Sequence, residues 1–537
     1  MLKLFILFSC VAAGCAACAE PAGAQLKSAR AVLDAGRAEE AFAGYQAVLE
    51  ASDEDAARNK ALAGQARARF EQGRFAEAAR LFQRAADNAE ETPTMRAEWL
   101  SRAADAVYAS GQPAEAARMY RHVYTLFPES PLAGEMLLRA ADALARGGDT
   151  RAALEAFARA AEADPAPDAE ARVRQGEILA RQGEVAACAA LVEPVIHNEN
   201  DALRGRALLA MGRAHAAASE WEEALPFFES AKNTPETADE AAWLCVPVLQ
   251  RLGRVDEARE VAKKVAGASS SQVNGKTIAI REQDAPTTEA LLWLLRDAYN
   301  TGRFHEVPAL ADDFAVASPR DARVGAAWVW AARAAVLAGD FNHAVDIIGR
   351  LRRELPAGAG LAEGVFIQGV ALLELGRFGE AAMVFDDLVT RLPESAWTTR
   401  AWLRKGDALY LLGAGGDAWF AAAAAAYEEA LLRYDITPAE RVEALYKKGR
   451  ALERMNRATD ARDVYAVGVA EPFLEAWQGN GLATKEAAEW FMRAVFRAAD
   501  LLAAEDAAGL LENAAATGAP GAAEAVARAE FLRKKGD

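Results

Sequence analysis

The chain has 537 residues, with 61 Lys and Arg against 78 Asp and Glu, a formal net charge of -17. That balance argues against a protein that grips nucleic acid, because phosphate binding draws on clustered cations that displace counterions. Apolar residues make up 52% of the chain, alanine recurs throughout and β-branched residues rarely cluster, so the expected class is all-α.

The first residues read as an address. Lys3 precedes a short apolar run from Leu4 to Gly14 and small residues follow, the layout of an export signal that is too short to span a membrane. Two cleavage readings fit. Ala22-Gly23-Ala24 has the small-x-small pattern and gives a signal over 1–24. "VAAGC", ending at Cys15, resembles a lipoprotein box with Ala12 where Leu is usual, and gives a signal over 1–14 with Cys15 as the lipidation candidate. Lipid chains there would hold the protein to a membrane surface. Periplasm, or attachment to the outer membrane, is the expected location.

From Gln25 onward the chain repeats itself. "EQGRFAEAARLF" from Glu71, "ASGQPAEAARMY" from Ala109, "LAGDFNHAVDII" from Leu337 and "ELGRFGEAAMVF" from Glu374 share one frame. Each has Gly, an apolar or Pro residue two later, Ala five later and a large apolar residue nine later. The bend positions are Gly36, Gly73, Gly111, Gly148, Gly183, Ser219, Gly253, Gly302, Gly339, Gly376, Gly413 and Asn456, mostly 35 to 38 residues apart. A period of that size means stacked helix pairs. Glycine ends the first helix because it enters the left-handed region without a Cβ clash. Ala78, Ala116, Ala153, Ala344 and Ala381 then let the second helix approach, while Phe82, Tyr120, Phe157, Ile348 and Phe385 fill the gap. Pro128, Pro165, Pro319, Pro356 and Pro393 stop the second helix, and in "FPESPLAGE" Ser130 is expected to cap the next one, with Pro131 in its first turn.

This frame resembles the tetratricopeptide repeat family. The resemblance implies a right-handed α-solenoid of about twelve helix hairpins between Gln25 and Pro472, with spacing near 37 where the family has 34. Exported bacterial repeat proteins, including lipoproteins of the cell envelope, look similar in their "FPxS" joints.

The expected divisions are an N-terminal array over 25–267, an inserted hairpin or loop over 268–288, a second array over 289–472 and a helical cap over 473–537. The insertion explains why Gly253 and Gly302 lie 49 residues apart. It holds Gly275-Lys276-Thr277, the ending of a phosphate-binding loop, but residue 270 is Ser where that loop needs Gly, and Ile278-Ala279-Ile280 alternates like a strand. Asn274-Gly275 suits a tight hairpin turn instead. In the second array the alanine run 421–426 is expected to be helical. In the cap, Arg533, Lys534 and Lys535 suit a helix C-terminus.

In the family the first helix of each pair lines the binding groove. Register therefore nominates Phe70, Tyr108, Trp243, Tyr299, Phe366, Tyr410 and Tyr446 as groove aromatics, with Arg67, Arg213, Arg296, Arg333 and Arg450 as groove cations and Glu98, Asp105, Asp142 and Glu177 as groove acids. These acids suggest a more acidic N-terminal groove. The Lys and Asn clamp by which some family members hold a chaperone's terminal carboxylate is missing at the matching positions. Cys188 and Cys245 read as small buried hydrophobes. The histidines are too scattered for a metal site, and no cofactor is expected. The resulting expectation is a non-catalytic scaffold that binds other proteins of the cell envelope. A structural lipoprotein subunit of an outer-membrane assembly machine is the alternative, and a glycan-active enzyme the more distant one.

Overall fold

The computed structural model describes residues 22–87, 92–163, 168–268, 285–358, 360–478 and 484–536, and among these every regular element is a helix. The fold is an all-helical solenoid: within each unit most consecutive helices pack on one another through short turns. Contacts divide the chain into two compact units, Met1–Val261 and Ala262–Asp537. Most of the expected insertion, 269–284, lies outside the described residues. Its last four residues, 285–288, are instead the first turn of the helix Ala285–Asn300. Among the described residues no helix is long and apolar enough to cross a membrane.

The bends follow the sequence frame closely. Nine of the ten nominated glycines have positive φ, and Ser219 (φ 66) and Asn456 (φ 58) fill the same conformation. At Gly73 the turn closes through two backbone hydrogen bonds: Gly73 N donates to Phe70 O at 2.9 Å and Arg74 N to Arg69 O at 2.9 Å. Carbonyls that the helix end would leave bare are thereby satisfied.

Gly413 is the exception and a correction. It lies in a 3-10 turn, Leu412–Gly415, and the positive φ falls three residues later at Gly416 (φ 132). What position 413 requires is space, since a Cβ there would stand 2.1 Å from the Phe420 ring.

A second small-residue position, seven before the bend, sets how closely the pair packs. At Gly212, Gly369, Gly406 and Gly449 an aromatic ring of the partner helix rests on bare backbone; a Cβ would meet it at 2.5, 2.5, 2.4 and 2.3 Å. In four other repeats the place is held by Ala66, Ala104, Ala141 or Ala332, each wholly buried, while Val246 and Leu295 stand there before Gly253 and Gly302. The alanines five after the bend are also wholly buried, and Phe82, Tyr120, Phe157, Ile348 and Phe385 are all core residues.

Second helices end as the prolines require. Phe127, Ser318, Leu355 and Leu392 each precede a proline and share φ between -129 and -140 with ψ between 53 and 68. A proline ring denies its predecessor the helical region. Pro165 lies outside the described residues. Ser130 does not cap the next helix, whose cap position is Leu132; its Oγ accepts from Leu132 N at 3.3 Å inside the connecting turn. Ser395 repeats this contact with Trp397 N at 3.1 Å. The serine shapes the joint because proline two residues earlier has already ended one helix and the turn must close before the next begins.

The array does not stop at Pro472. The helix Ala458–Asp463 runs through a π-helical stretch, Val464–Ala470, into Glu471–Gln478, so the expected boundary at 472 cuts a continuous helical run. A change of hydrogen-bonding period at this point lets a proline follow without a break. Helices Lys485–Leu501, Ala504–Ala515 and Ala522–Gly536 complete the unit, sharing one apolar cluster with the last repeat through Tyr465, Phe491 and Leu511. Arg533, Lys534 and Lys535 occupy the last turn of the final helix.

Candidate functional site

The residue six before each bend follows the small packing residue and so faces away from the partner helix, toward the first helix of the neighbouring repeat. Charged residues recur there, and most are tied down. Asp105 binds Arg139 at 2.6 Å, Asp142 meets Arg174 at 3.6 Å, Glu177 accepts from Arg206 at 2.8 Å and Asp407 meets Lys447 at 2.7 Å, each pair joining consecutive repeats. Arg213 pairs with Glu240 and Arg333 with Glu363 in the same forward sense, while Arg67 reaches back to Asp34 at 3.5 Å. The nominated groove charges Arg67, Arg213, Arg333, Asp105, Asp142 and Glu177 are therefore struts between repeats. This also tempers the expected acidic N-terminal groove: Arg139, Arg174 and Arg206 answer three of its four acids, Asp105, Asp142 and Glu177.

Two struts carry a tyrosine. Tyr120 donates to Asp105 Oδ1 at 2.7 Å and Tyr427 donates to Asp407 Oδ1 at 2.9 Å. Burial, together with the adjacent carboxylate, pushes both phenols well above their ordinary range. At Asp142 the equivalent position is Phe157, which has no hydroxyl to give. Desolvation raises the Asp142 carboxyl despite Arg174, and the nearby acids Glu170 and Glu177 add to the shift. Around Asp407 the balance is closed: burial opposes the charge of Arg404, but Asp407 at 2.6 Å and Glu443 at 3.1 Å more than offset it.

The nominated aromatics Phe70, Tyr108, Trp243, Tyr299, Phe366, Tyr410 and Tyr446 are all half-buried. Six of them rest on a neighbouring group. Phe70 packs edge-on against Phe75, Tyr108 under the Arg146 guanidinium, Tyr299 on Trp330, Phe366 on Trp397, Tyr410 on Phe420 and Tyr446 on Trp490.

Among the described residues, cavities open along the first helices. In the first unit, about 730 Å³ is lined by Phe70, Trp99, Met95 and Arg67, with Lys27, Lys60 and Glu98 at its walls. In the second unit, about 580 Å³ is lined by Tyr410, Tyr446, Trp490, Arg450 and Arg493, and about 230 Å³ by Arg333, Phe366, Ile367 and Trp397. Those two share Val370 and so form one groove. Tyr108, Trp243, Tyr299 and Arg296 lie outside these cavities; Arg296 is exposed.

Residues 63–131, 101–166, 138–193 and 416–473 match a family model described as a tetratricopeptide repeat. These segments are tetratricopeptide repeats. Solved structures similar to the chain include residues 41 to the end of MamA from Desulfovibrio magneticus RS-1, at 20% identity, covering 33% of this chain and 96% of that one, with a TM-score of 0.29. Another is the APC/C hetero-tetramer Cut9-Hcn1, at 14% identity with 96% of each chain covered and a TM-score of 0.36. No curated protein matches the sequence.

Three groove residues escaped the tetratricopeptide register: Trp397, Trp490 and Arg493. Trp397 precedes its helix and Trp490 and Arg493 stand in the cap, so none occupies a repeat position. Their signal in the sequence was the crowding of tryptophan into the C-terminal half, eight of eleven after position 290. Cys188 and Cys245, the two cysteines among the described residues, are buried and form no disulfide; burial pushes the Cys188 thiol up to about 11 and the Cys245 thiol up to about 12, with Glu229 adding to the latter.

Proposed function

We propose that this chain is a non-catalytic, protein-binding scaffold of the bacterial cell envelope, working through the groove of its second unit. Tetratricopeptide repeats support the protein-binding part. What carries the choice of surface is the pair of joined cavities around Val370, where ring faces and guanidinium groups from four successive first helices converge. Extended peptides and helices use half-buried aromatics of this kind as anchors, since the rings lose little entropy on contact and bury large area.

The envelope part rests on Lys3, the apolar run Leu4 to Gly14 and the cleavage patterns at Cys15 and Ala24, all but the last of which lie outside the described residues. Mass spectrometry of the mature N-terminus from the native host tests it. A lipidated Cys15 supports the alternative of a membrane-held subunit of an assembly machine, a free Gln25 supports a soluble scaffold, and an intact Met1 refutes export. For the groove, proteins captured by the wild type and lost with Tyr446→Ala, at unchanged thermal unfolding, support the reading. Identical capture by both refutes it. The groove acids Asp105, Asp142 and Glu177 are each committed to an arginine, which favours binding over acid-base catalysis at these positions.

A further inference from the structure

Arg450 breaks the strut pattern. It stands six residues before the bend at Asn456, where charged residues of most other repeats reach an opposite charge on an adjacent repeat. The next helix along the groove, Lys485–Leu501, presents Trp490 and Arg493 to the cavity instead of a carboxylate. Arg450 Nη1 reaches only the Tyr446 hydroxyl, at 3.4 Å, and Glu453 of its own helix lies 3.4 Å from Nε. That Nε is enclosed and has no hydrogen-bond partner among the described residues. Arg493 lies with its guanidinium 4.5 Å from the Trp490 ring centroid, exposed and without an ion pair among the described residues. Arg404 and Lys447, which line the same cavity, are by contrast both held by Asp407 and Glu443.

Cations are thus in excess at one end of the groove, where Arg404, Lys447, Arg450 and Arg493 line the cavity with Glu374 and Asp407. At the other end Arg333 is already paired with Glu363, and the lining is Phe366, Ile367 and Trp397. The groove has a polarity: cationic toward the cap, apolar toward the middle of the unit.

Resting on the reading that this groove binds protein, we propose that its occupant is an extended segment of another protein. Its internal Asp or Glu side chains lie against Arg450 and Arg493, and a large apolar side chain rests on the surface formed by Phe366, Ile367 and Trp397. Guanidinium groups that line the cavity, one of them stacked on a ring, suit carboxylates. From the helix Leu361–Glu374 to Lys485–Leu501 there are three inter-helix steps of about 8–10 Å, a span that about nine extended residues cover. Two guanidinium groups beside an apolar strip, in a chain of net charge -17, do not make the continuous basic track that a nucleic-acid backbone needs.

The test is calorimetric titration of the full chain with a synthetic peptide of about twelve residues, amidated at its C-terminus, carrying a Leu-Phe pair at one end and a run of Glu at the other. Parallel peptides replace Glu by Gln, or Leu-Phe by Ser-Ser. The acidic peptide is expected to bind. Either the Gln peptide or the Arg450→Gln/Arg493→Gln double variant is expected to lower affinity by about tenfold or more, with the variant's thermal unfolding unchanged. Equal affinity for the Gln peptide, still lost with Tyr446→Ala, would overturn the acidic preference and leave the groove reading standing. Acidic-peptide binding untouched by Tyr446→Ala and by the double variant, or no binding by any peptide, would overturn both. Arg450- and Arg493-dependent displacement of the peptide by anionic lipid vesicles or single-stranded DNA would show a general anion site and overturn the assignment to a protein segment.

Discussion

The hydroxyl of Tyr427, enclosed between the helices Asp417–Leu431 and Thr398–Leu411, donates to Asp407 Oδ1 at 2.9 Å, and the same carboxylate holds Lys447 of the next repeat at 2.7 Å. One side chain thus joins the two helices of a hairpin and the hairpin to its neighbour. In a stacked array, stability depends on such interfaces between adjacent units. Asp407→Ala leaves Arg404 and Lys447 with Glu443 alone and strands the tyrosine hydroxyl; it is expected to destabilise by about 2–4 kcal/mol. Tyr427→Phe removes only the hydrogen bond and is expected to cost about 1 kcal/mol. Urea unfolding of both variants measures the difference, and equal losses would contradict a shared role for Asp407.

Asp142 is the same strut without its hydroxyl donor. Burial raises its folded pKa, so the acid form is favoured in the fold: this group contributes stability below the pKa of an unfolded Asp and loses it as pH rises through the folded value. Asp142→Asn is therefore expected to match or exceed the wild-type melting temperature at neutral pH, with the difference vanishing near about pH 3. Phe157→Tyr, which restores the donor seen at Tyr120 and Tyr427, is expected to bring the Asp142 pKa down. Carboxyl NMR titration reads that shift directly, and an unmoved pKa would show that the two positions are not equivalent.

Glycines in this chain do two different things, and substitutions separate them. A Cβ at Gly449 would lie 2.3 Å from the Tyr465 ring, so Gly449→Ala is expected to cost about 1–3 kcal/mol through overpacking. Gly376 has open space around it but a φ of 71. Gly376→Val is expected to cost more than about 1 kcal/mol. Gly376→Asn is expected to cost less, because Asn456 already occupies the same conformation in another repeat. Thermal unfolding of the three variants checks the order.

Cys188 and Cys245 are enclosed, with thiols pushed up to about 11 and about 12. Thiolate is the reactive form, so neither is expected to react with a thiol reagent at pH 8 in the folded protein, and both should react when urea is added. Rapid labelling of the native chain would show that the surrounding helices open.

Much of the architecture follows from the sequence because its determinants are local. A left-handed bend needs Gly, or a short polar residue such as Ser219 or Asn456, and a helix ends before Pro319 or Pro393 for steric reasons confined to two or three residues. Those requirements leave marks mostly 35 to 38 residues apart, and the marks alone determined helix pairs, their order and the buried Ala and aromatic positions. Gly413 deceived because its frame position and its packing role coincide in type, and only the ring of Phe420 shows which one acts. The fate of the groove charges belonged to the tertiary structure. Asp105 and Arg139, or Asp407 and Lys447, stand 34 and 40 residues apart, and whether such charges neutralise each other depends on distances between separate hairpins, which no local rule contains. Trp490 and Arg493 came into view for the same reason: the cap follows no repeat, and only packing brings it beside Arg450 to leave cations in excess at one end of the groove.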